Sequence, residues 1–127
     1  MGQRFYNPTD IRWCPWHQVG ELLPPPPVKV LVITGKSSEH RAEEMANQWL
    51  SDYEVESLSG VPSDPTVASV SEVTERVKSA AADWIIAIGG GSVLDTAKAA
   101  AVLANHEGEI SGFLNGEHRI RHPGVPV

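Results

Sequence analysis

The sequence predicts an open α/β fold, a parallel sheet with helices on both faces. Three observations carry that prediction. Strand-like apolar runs alternate with helical stripes three times between residues 28 and 105, and this alternation implies right-handed crossovers. The runs are uninterrupted and largely β-branched or aliphatic, as strands covered on both faces are. A triplet of glycines, Gly89–Gly91, stands where the third run gives way to a helix.

Residues 1–27 show neither a helical nor an alternating period and read as an N-terminal arm, with one short strand at most. Four prolines in a row, Pro24–Pro27, favour a stiff polyproline II connector. The α/β domain then occupies residues 28–127. Val28–Ile33 is the first strand, bounded by proline before and Thr34-Gly35 after. Ala42, Met45, Ala46, Trp49 and Leu50 recur at i, i+3, i+4, i+7 and i+8, one face of a helix with Ser38 as its N-cap. Trp49 lies on that stripe and is expected in the core. Tyr53–Leu58 is the second strand. Asp64-Pro65 marks the next helix start, aspartate as cap and proline in the first turn, and Val67, Val70, Val73, Val77 and Ala81 form its apolar stripe. Trp84–Ile88 is the third strand, and Ser92–Asn105 the alanine-rich third helix.

Composition narrows the function. At 127 residues the chain has room for one domain, and its net charge of −6 leaves no basic stripe for nucleic acid. No apolar stretch is long enough to span a bilayer, and no basic-then-apolar pattern opens the chain. A soluble, cytoplasmic protein is the expectation. The single cysteine, Cys14, excludes an intrachain disulfide and a multi-cysteine zinc site.

The informative segment runs from Asp83 to Lys98. Three glycines after a buried strand allow positive φ and let a ligand approach backbone without meeting a Cβ. Amides at the start of the following helix point outward along its dipole, a geometry that suits a pyrophosphate. The alternative is a glycine turn selected only for tight packing. Two nucleotide motifs fail. Position 94 is leucine where G-x-G-x-x-G needs glycine, and Gly35-Lys36-Ser37 lacks the upstream glycine of a P-loop, position 30 being valine.

Gly89–Lys98, GGGSVLDTAK, resembles the phosphate-binding segment of the iron-containing (group III) alcohol dehydrogenases, relatives of glycerol dehydrogenase and dehydroquinate synthase. Asn7-Pro8-Thr9 with Ile11 is similar to the family's opening strand. Val30–Gly35 is similar to its first nucleotide-binding strand, and Gly60–Thr66 to the stretch before its second long helix. The resemblance implies the Rossmann-like half of a two-domain enzyme, with hydride transfer between NAD or NADP and a small alcohol or aldehyde. It implies that Gly89, Gly90, Gly91 and Ser92 hold the cofactor pyrophosphate, that Asp95 and Lys98 line the same crevice, and that Thr34, Gly35, Lys36 and Ser37 lie beside the adenine ribose. An ordinary surface ion pair is the alternative for Asp95 and Lys98. Iron or zinc is implied for the family, bound by an aspartate and histidines of a helical second domain beyond residue 127. No catalytic or metal-binding residue is assigned within this chain, which alone is expected to be inactive. Where the family carries F-G-x-G, this sequence has Trp13-Cys14-Pro15-Trp16, a change that bears on arm-mediated association with further copies. A non-catalytic nucleotide- or phosphate-binding module and an inactive truncated product are the competing readings.

Cofactor choice turns on the end of the first strand. In family members that use NAD, an aspartate often stands where this sequence has Gly35. Glycine there removes repulsion of a 2′-phosphate, while Lys36 adds positive charge and Ser37 and Ser38 add hydroxyls. NADP is therefore expected to be tolerated or preferred, and Gly35→Asp to reverse the choice. A turn-and-cap role for these residues is the alternative.

The remaining candidates are set aside. His118 and His122 are spaced i, i+4 but lie between Gly116 and Pro123, so a mobile loop is expected rather than a helical metal site. Cys14 and His17 make half a zinc site without a second half. His40 belongs to a solvated helix face, and His106 follows the third helix and suits its negative dipole end.

Overall fold

A computed structural model describes residues 10–127 of the chain. Its sheet has three parallel strands, β1 (Lys29–Gly35), β2 (Glu54–Val61) and β3 (Trp84–Ile88), in the order β2-β1-β3. The helices are α1 (Glu39–Trp49), α2 (Val67–Ala80), α3 (Gly91–Leu103) and the short α4 (Ile110–Leu114). The third strand has the bounds that the apolar run predicts. The order of strands and helices through α3 also follows the sequence pattern.

Central β1 is buried from Val30 to Gly35, and its alternating side chains feed two cores. On one face Leu31, Ile33 and Ile85 meet Val73, Val77, Ala97 and Ala100 of α2 and α3. On the other, Val30 and Val32 meet Ala42, Met45 and Leu50 of α1 and its end. Helices therefore cover both faces. Alanines 97 and 100, at 0% exposure, let α3 lie close on the sheet.

Several details differ from expectation. The second strand runs three residues beyond Leu58. Gly60 takes φ +78, and the ladder shifts register there before closing on Gly35↔Val61, as a bulge does. Helix α2 is capped by Thr66 rather than Asp64. Thr66 Oγ1 accepts from the Ser69 amide at 3.1 Å, and Ser69 Oγ accepts from the Thr66 amide at 2.8 Å. This reciprocal box satisfies two end amides, and Asp64 cannot make it from two residues upstream. Pro65 precedes the cap. Val67 is 52% exposed and Ala81 has left the helix at φ 48, so the buried stripe is Val73, Thr74, Val77 and Ala80. Ser38 precedes α1 but caps it with no side-chain bond, because Lys36–Ser38 form a 3₁₀ turn. Helix α3 ends at Leu103, two residues early, and α4 is too short for a periodic signal to reveal.

In the arm, residues 7–9 of the expected opening strand lie outside the described residues. No strand occurs among residues 10–28; Trp16–Leu22 is a 3₁₀ helix instead. The chain bends at Pro26 and Pro27, so the proline run is not a straight polyproline rod. Tyr53 donates its hydroxyl to the Pro24 carbonyl. Trp49 packs against the arm rather than the core centre, its ring 5.1 Å from that of Trp16 and against Gly20.

Residues 115–127 contain no helix, as expected, but the segment is fastened at several points. The His118 amide donates to the Gly112 carbonyl at 2.8 Å, and the His118 ring lies on Gly112 and Phe113. His106, 8% exposed, accepts on Nε2 from the amides of Arg121 and His122 at 2.7 and 3.1 Å. Val125 donates to the Ala101 carbonyl, and the Pro126 carbonyl accepts from the Ile85 amide at 2.8 Å. The chain thus returns to the outer edge of β3. A groove of about 840 Å³ opens there, lined by Val19, Leu22, Trp84, Ile86, Leu94 and Val127 among others.

Candidate functional site

Thr34 of β1 pairs with Ile88 of β3, so the turns after these two strands are neighbours. The turn after β1 leads into α1 on one face of the sheet, and the turn after β3 leads into α3 on the other. Adjacent parallel strands whose connections part to opposite faces leave a crevice above their carboxyl ends, the switch point where open α/β sheets take ligands. Residues 35–38 and 89–92 form its two sides.

The start of α3 carries no side-chain cap. Gly90 is the N-cap residue and caps with no side chain. The first bonds of the helix run from the Val93 and Leu94 amides to the Gly90 carbonyl, at 3.1 and 3.2 Å. The amides of Gly91 and Ser92 precede those bonds and belong to the unpaired first turn. A Cβ placed on Gly90 or Gly91 would meet nothing within 4 Å. That space is open to a ligand. Positive φ is not what Gly90 supplies, since its φ is −78.

Gly89 differs from its two neighbours. A Cβ on it would lie 2.8 Å from Val93 Cγ2 and 2.9 Å from Val93 Cβ. A Cβ on Gly35 would lie 2.9 Å from the same Val93 Cγ2. Gly35 is buried, so one reason for glycine at the end of β1 is the valine beside it.

Of the other residues expected here, Thr34 is 1% exposed, buried at the end of β1. Lys36 and Ser37 are exposed in the 3₁₀ turn beside the crevice. Ser92 is half-buried, and its carbonyl accepts from Thr96 Oγ1 at 2.8 Å. Asp95 and Lys98 are not brought into one crevice. Asp95 borders a groove with Thr66, Val67 and Leu114, whereas Lys98 borders the groove beside β3. No ion pair joins them among the described residues. Val93 was not a candidate by sequence reading, because its contact with both glycines depends on β1 and β3 being neighbours.

No group of three or more His, Cys, Asp or Glu side chains that could hold a metal occurs among the described residues. His118 and His122 each pack beside a different ring, Phe113 and His106 respectively. The residues described here do not fit a metal ion.

Fold and crevice together define a Rossmann-like α/β unit. A family model described as iron-containing alcohol dehydrogenase matches residues 12–127, and the chain belongs to that family. It is 39% identical over 69 residues to a 4-hydroxybutyrate dehydrogenase of Cupriavidus necator, covering 52% of this chain and 18% of that protein. It is 43% identical over 53 residues to an NADPH-dependent butanol dehydrogenase of Clostridium saccharobutylicum, covering 42% of this chain and 14% of that one. Among solved structures, the NADH-dependent butanol dehydrogenase A of Thermotoga maritima superposes with a TM-score of 0.78 at 28% identity, over 96% of this chain and 32% of that chain. The chain thus spans less than a fifth of the length of these two curated relatives. No helix among the described residues is long and apolar enough to cross a membrane.

Proposed function

We propose that residues 28–127 are the nicotinamide-cofactor-binding part of a metal-dependent alcohol dehydrogenase, with residues 1–27 as an arm. The observation that carries this reading is the uncapped start of α3, opposite the Lys36–Ser38 turn at the switch point. The amides of Gly91 and Ser92 donate to the pyrophosphate. Gly90 keeps the approach clear, and Gly89, Thr34 and Gly35 shape the floor. Asp95 and Lys98 stand further along α3, bordering separate grooves, and are given no part in the crevice. Lys36 and Ser37 face the ribose side, where a cation and a hydroxyl suit the 2′-phosphate of NADP. When bound, the nicotinamide exchanges a hydride with a small alcohol or aldehyde. The metal that the family name implies finds no fitting ligands among the described residues, and no step is assigned to it. That same observation favours, as the second reading, a non-catalytic nucleotide- or phosphate-binding module.

Calorimetric titration of the chain with NADP⁺ and NAD⁺ tests the proposal, with NADP⁺ binding at least as tightly. Gly90→Ala fits its backbone angles and meets no neighbour. The melting temperature should hold while cofactor affinity falls about tenfold or more, as a Cβ enters the ligand's space. Lys36→Glu should weaken NADP⁺ more than NAD⁺. Absence of binding to the unaltered chain, or indifference to Gly90→Ala, would refute the reading. With alcohol, cofactor and ferrous or zinc ion supplied, the chain alone should give no turnover; turnover would locate catalytic groups within it and rule out the non-catalytic module.

A further inference from the structure

We propose that Val93 is a positioning residue, a wedge between the ends of β1 and β3 that sets the spacing of the two turns a dinucleotide bridges. The proposal rests on the cofactor-binding reading above and assigns a role to a residue that does not itself face the ligand.

Val93 is the third residue of α3 and only 5% exposed. It touches the final residue of β1 and the residue after β3 at once, through the close approaches at Gly35 and Gly89. Neighbouring strands run about 4.8 Å apart, so a branched side chain fits between their ends only where both flanking residues lack a Cβ. Both do. A valine in a helix is held almost entirely in one χ1 rotamer, which makes the wedge stiff as well as close. It belongs to the helix whose first amides face the pyrophosphate, and it bears on the strand that leads into Lys36–Ser38. Val93 therefore links the two sides of the crevice through a single packed contact.

The arrangement divides the glycines by role. Gly89 and Gly35 make room for Val93, whereas Gly90 and Gly91 make room for the ligand. It also moves the choice between NADP and NAD away from Gly35. A side chain there meets Val93 before it meets a ribose, so Gly35→Asp would disturb the wedge, and discrimination falls to exposed Lys36 and Ser37.

The test compares a ligand that spans both turns with one that rests on a single turn. NADP⁺ bridges residues 36–37 and 90–92, whereas inorganic pyrophosphate occupies only the start of α3. Binding of each is measured on the 127-residue chain and on Val93→Ala, Val93→Leu and Val93→Thr. Leucine keeps the bulk but moves the branch off Cβ. Threonine keeps the branch, and its hydroxyl can donate to the helix carbonyl three residues back, that of Gly90. Alanine and leucine should weaken NADP⁺ about tenfold while leaving pyrophosphate within about twofold, because a bridged ligand loses where its two contacts are displaced. Threonine should restore NADP⁺ binding. Equal losses for both ligands would mark Val93 as merely structural, and an unchanged NADP⁺ affinity in both variants would overturn the wedge. An unaltered chain that binds neither ligand would overturn the cofactor reading and this proposal with it.

Discussion

His106 shows how one side chain can hold a segment that has no secondary structure. Its Nε2 accepts two amide protons, so Nδ1 carries the ring proton and donates to the Val102 carbonyl at 2.9 Å. The imidazole thereby joins the end of α3 to residues 121–122. Replacing it with alanine leaves two amides without their acceptor, while the Val102 carbonyl keeps the Asn105 amide, and the expected loss is about 2 kcal/mol by urea denaturation. Amide exchange at 121 and 122 should accelerate at the same time. The sequence places His106 after α3, and its bond to the Val102 carbonyl lies at that helix end, but by a hydrogen bond and not by the charge that a dipole argument needs. The two amides it accepts lie 15 and 16 residues on, in a stretch with no period to locate them. Val93 was hidden for a related reason: its meaning lies in two glycines far apart in the chain. The glycine triplet, by contrast, was legible because strand, turn and helix start are contiguous.

At the scale of elements, boundaries depended on which short polar residues found partners. Asp64 and Thr66 are both acceptable caps, but only Thr66 has a serine three residues on to answer it. Thr66→Ala should therefore cost about 1 kcal/mol in a thermal or urea melt, and Asp64→Ala only a few tenths. The strands were more legible than the helix ends, since β1 and β3 are continuous apolar runs between breakers. The extension of β2 to Val61 was not, because it requires the bulge at Gly60. β1 and β2 are also joined at their starts by Lys29, whose ammonium lies 3.1 Å from Glu56 and 3.4 Å from Glu54. Its hydrogen bond to Glu56, then that to Glu54 and the charges of both carboxylates, raise the Lys29 pKa above its ordinary 10.5 despite some desolvation. A raised cation stabilises the fold fully below its unfolded value and ceases to as pH rises through the folded one. The difference in urea midpoint between the unaltered chain and Lys29→Gln should therefore be steady at neutral pH and shrink above about pH 10.5. The pair is partly exposed, so the effect is small.

For the whole molecule, the outer edge of β3 matters most. The Pro126 carbonyl takes the Ile85 amide, while Trp84 and Ile86 line an apolar groove alongside. Sheet edges beside apolar surface invite pairing with another chain. Sedimentation of the isolated chain should show mass rising with concentration, and its melting temperature should shift with it. A monomer melting sharply at a temperature independent of concentration would contradict this. At the opposite end of the chain, the arm lies on the α1 face through Trp16, whose ring meets Trp49 at 5.1 Å and an interplanar angle of 61°. Two indoles so close and so inclined couple their electronic transitions, which gives a pair of opposite-signed bands in far-ultraviolet circular dichroism. Trp13, at 103% exposure, stands apart from that pair. Docking and release of the arm can thus be followed in solution by its own chromophores, with no label attached.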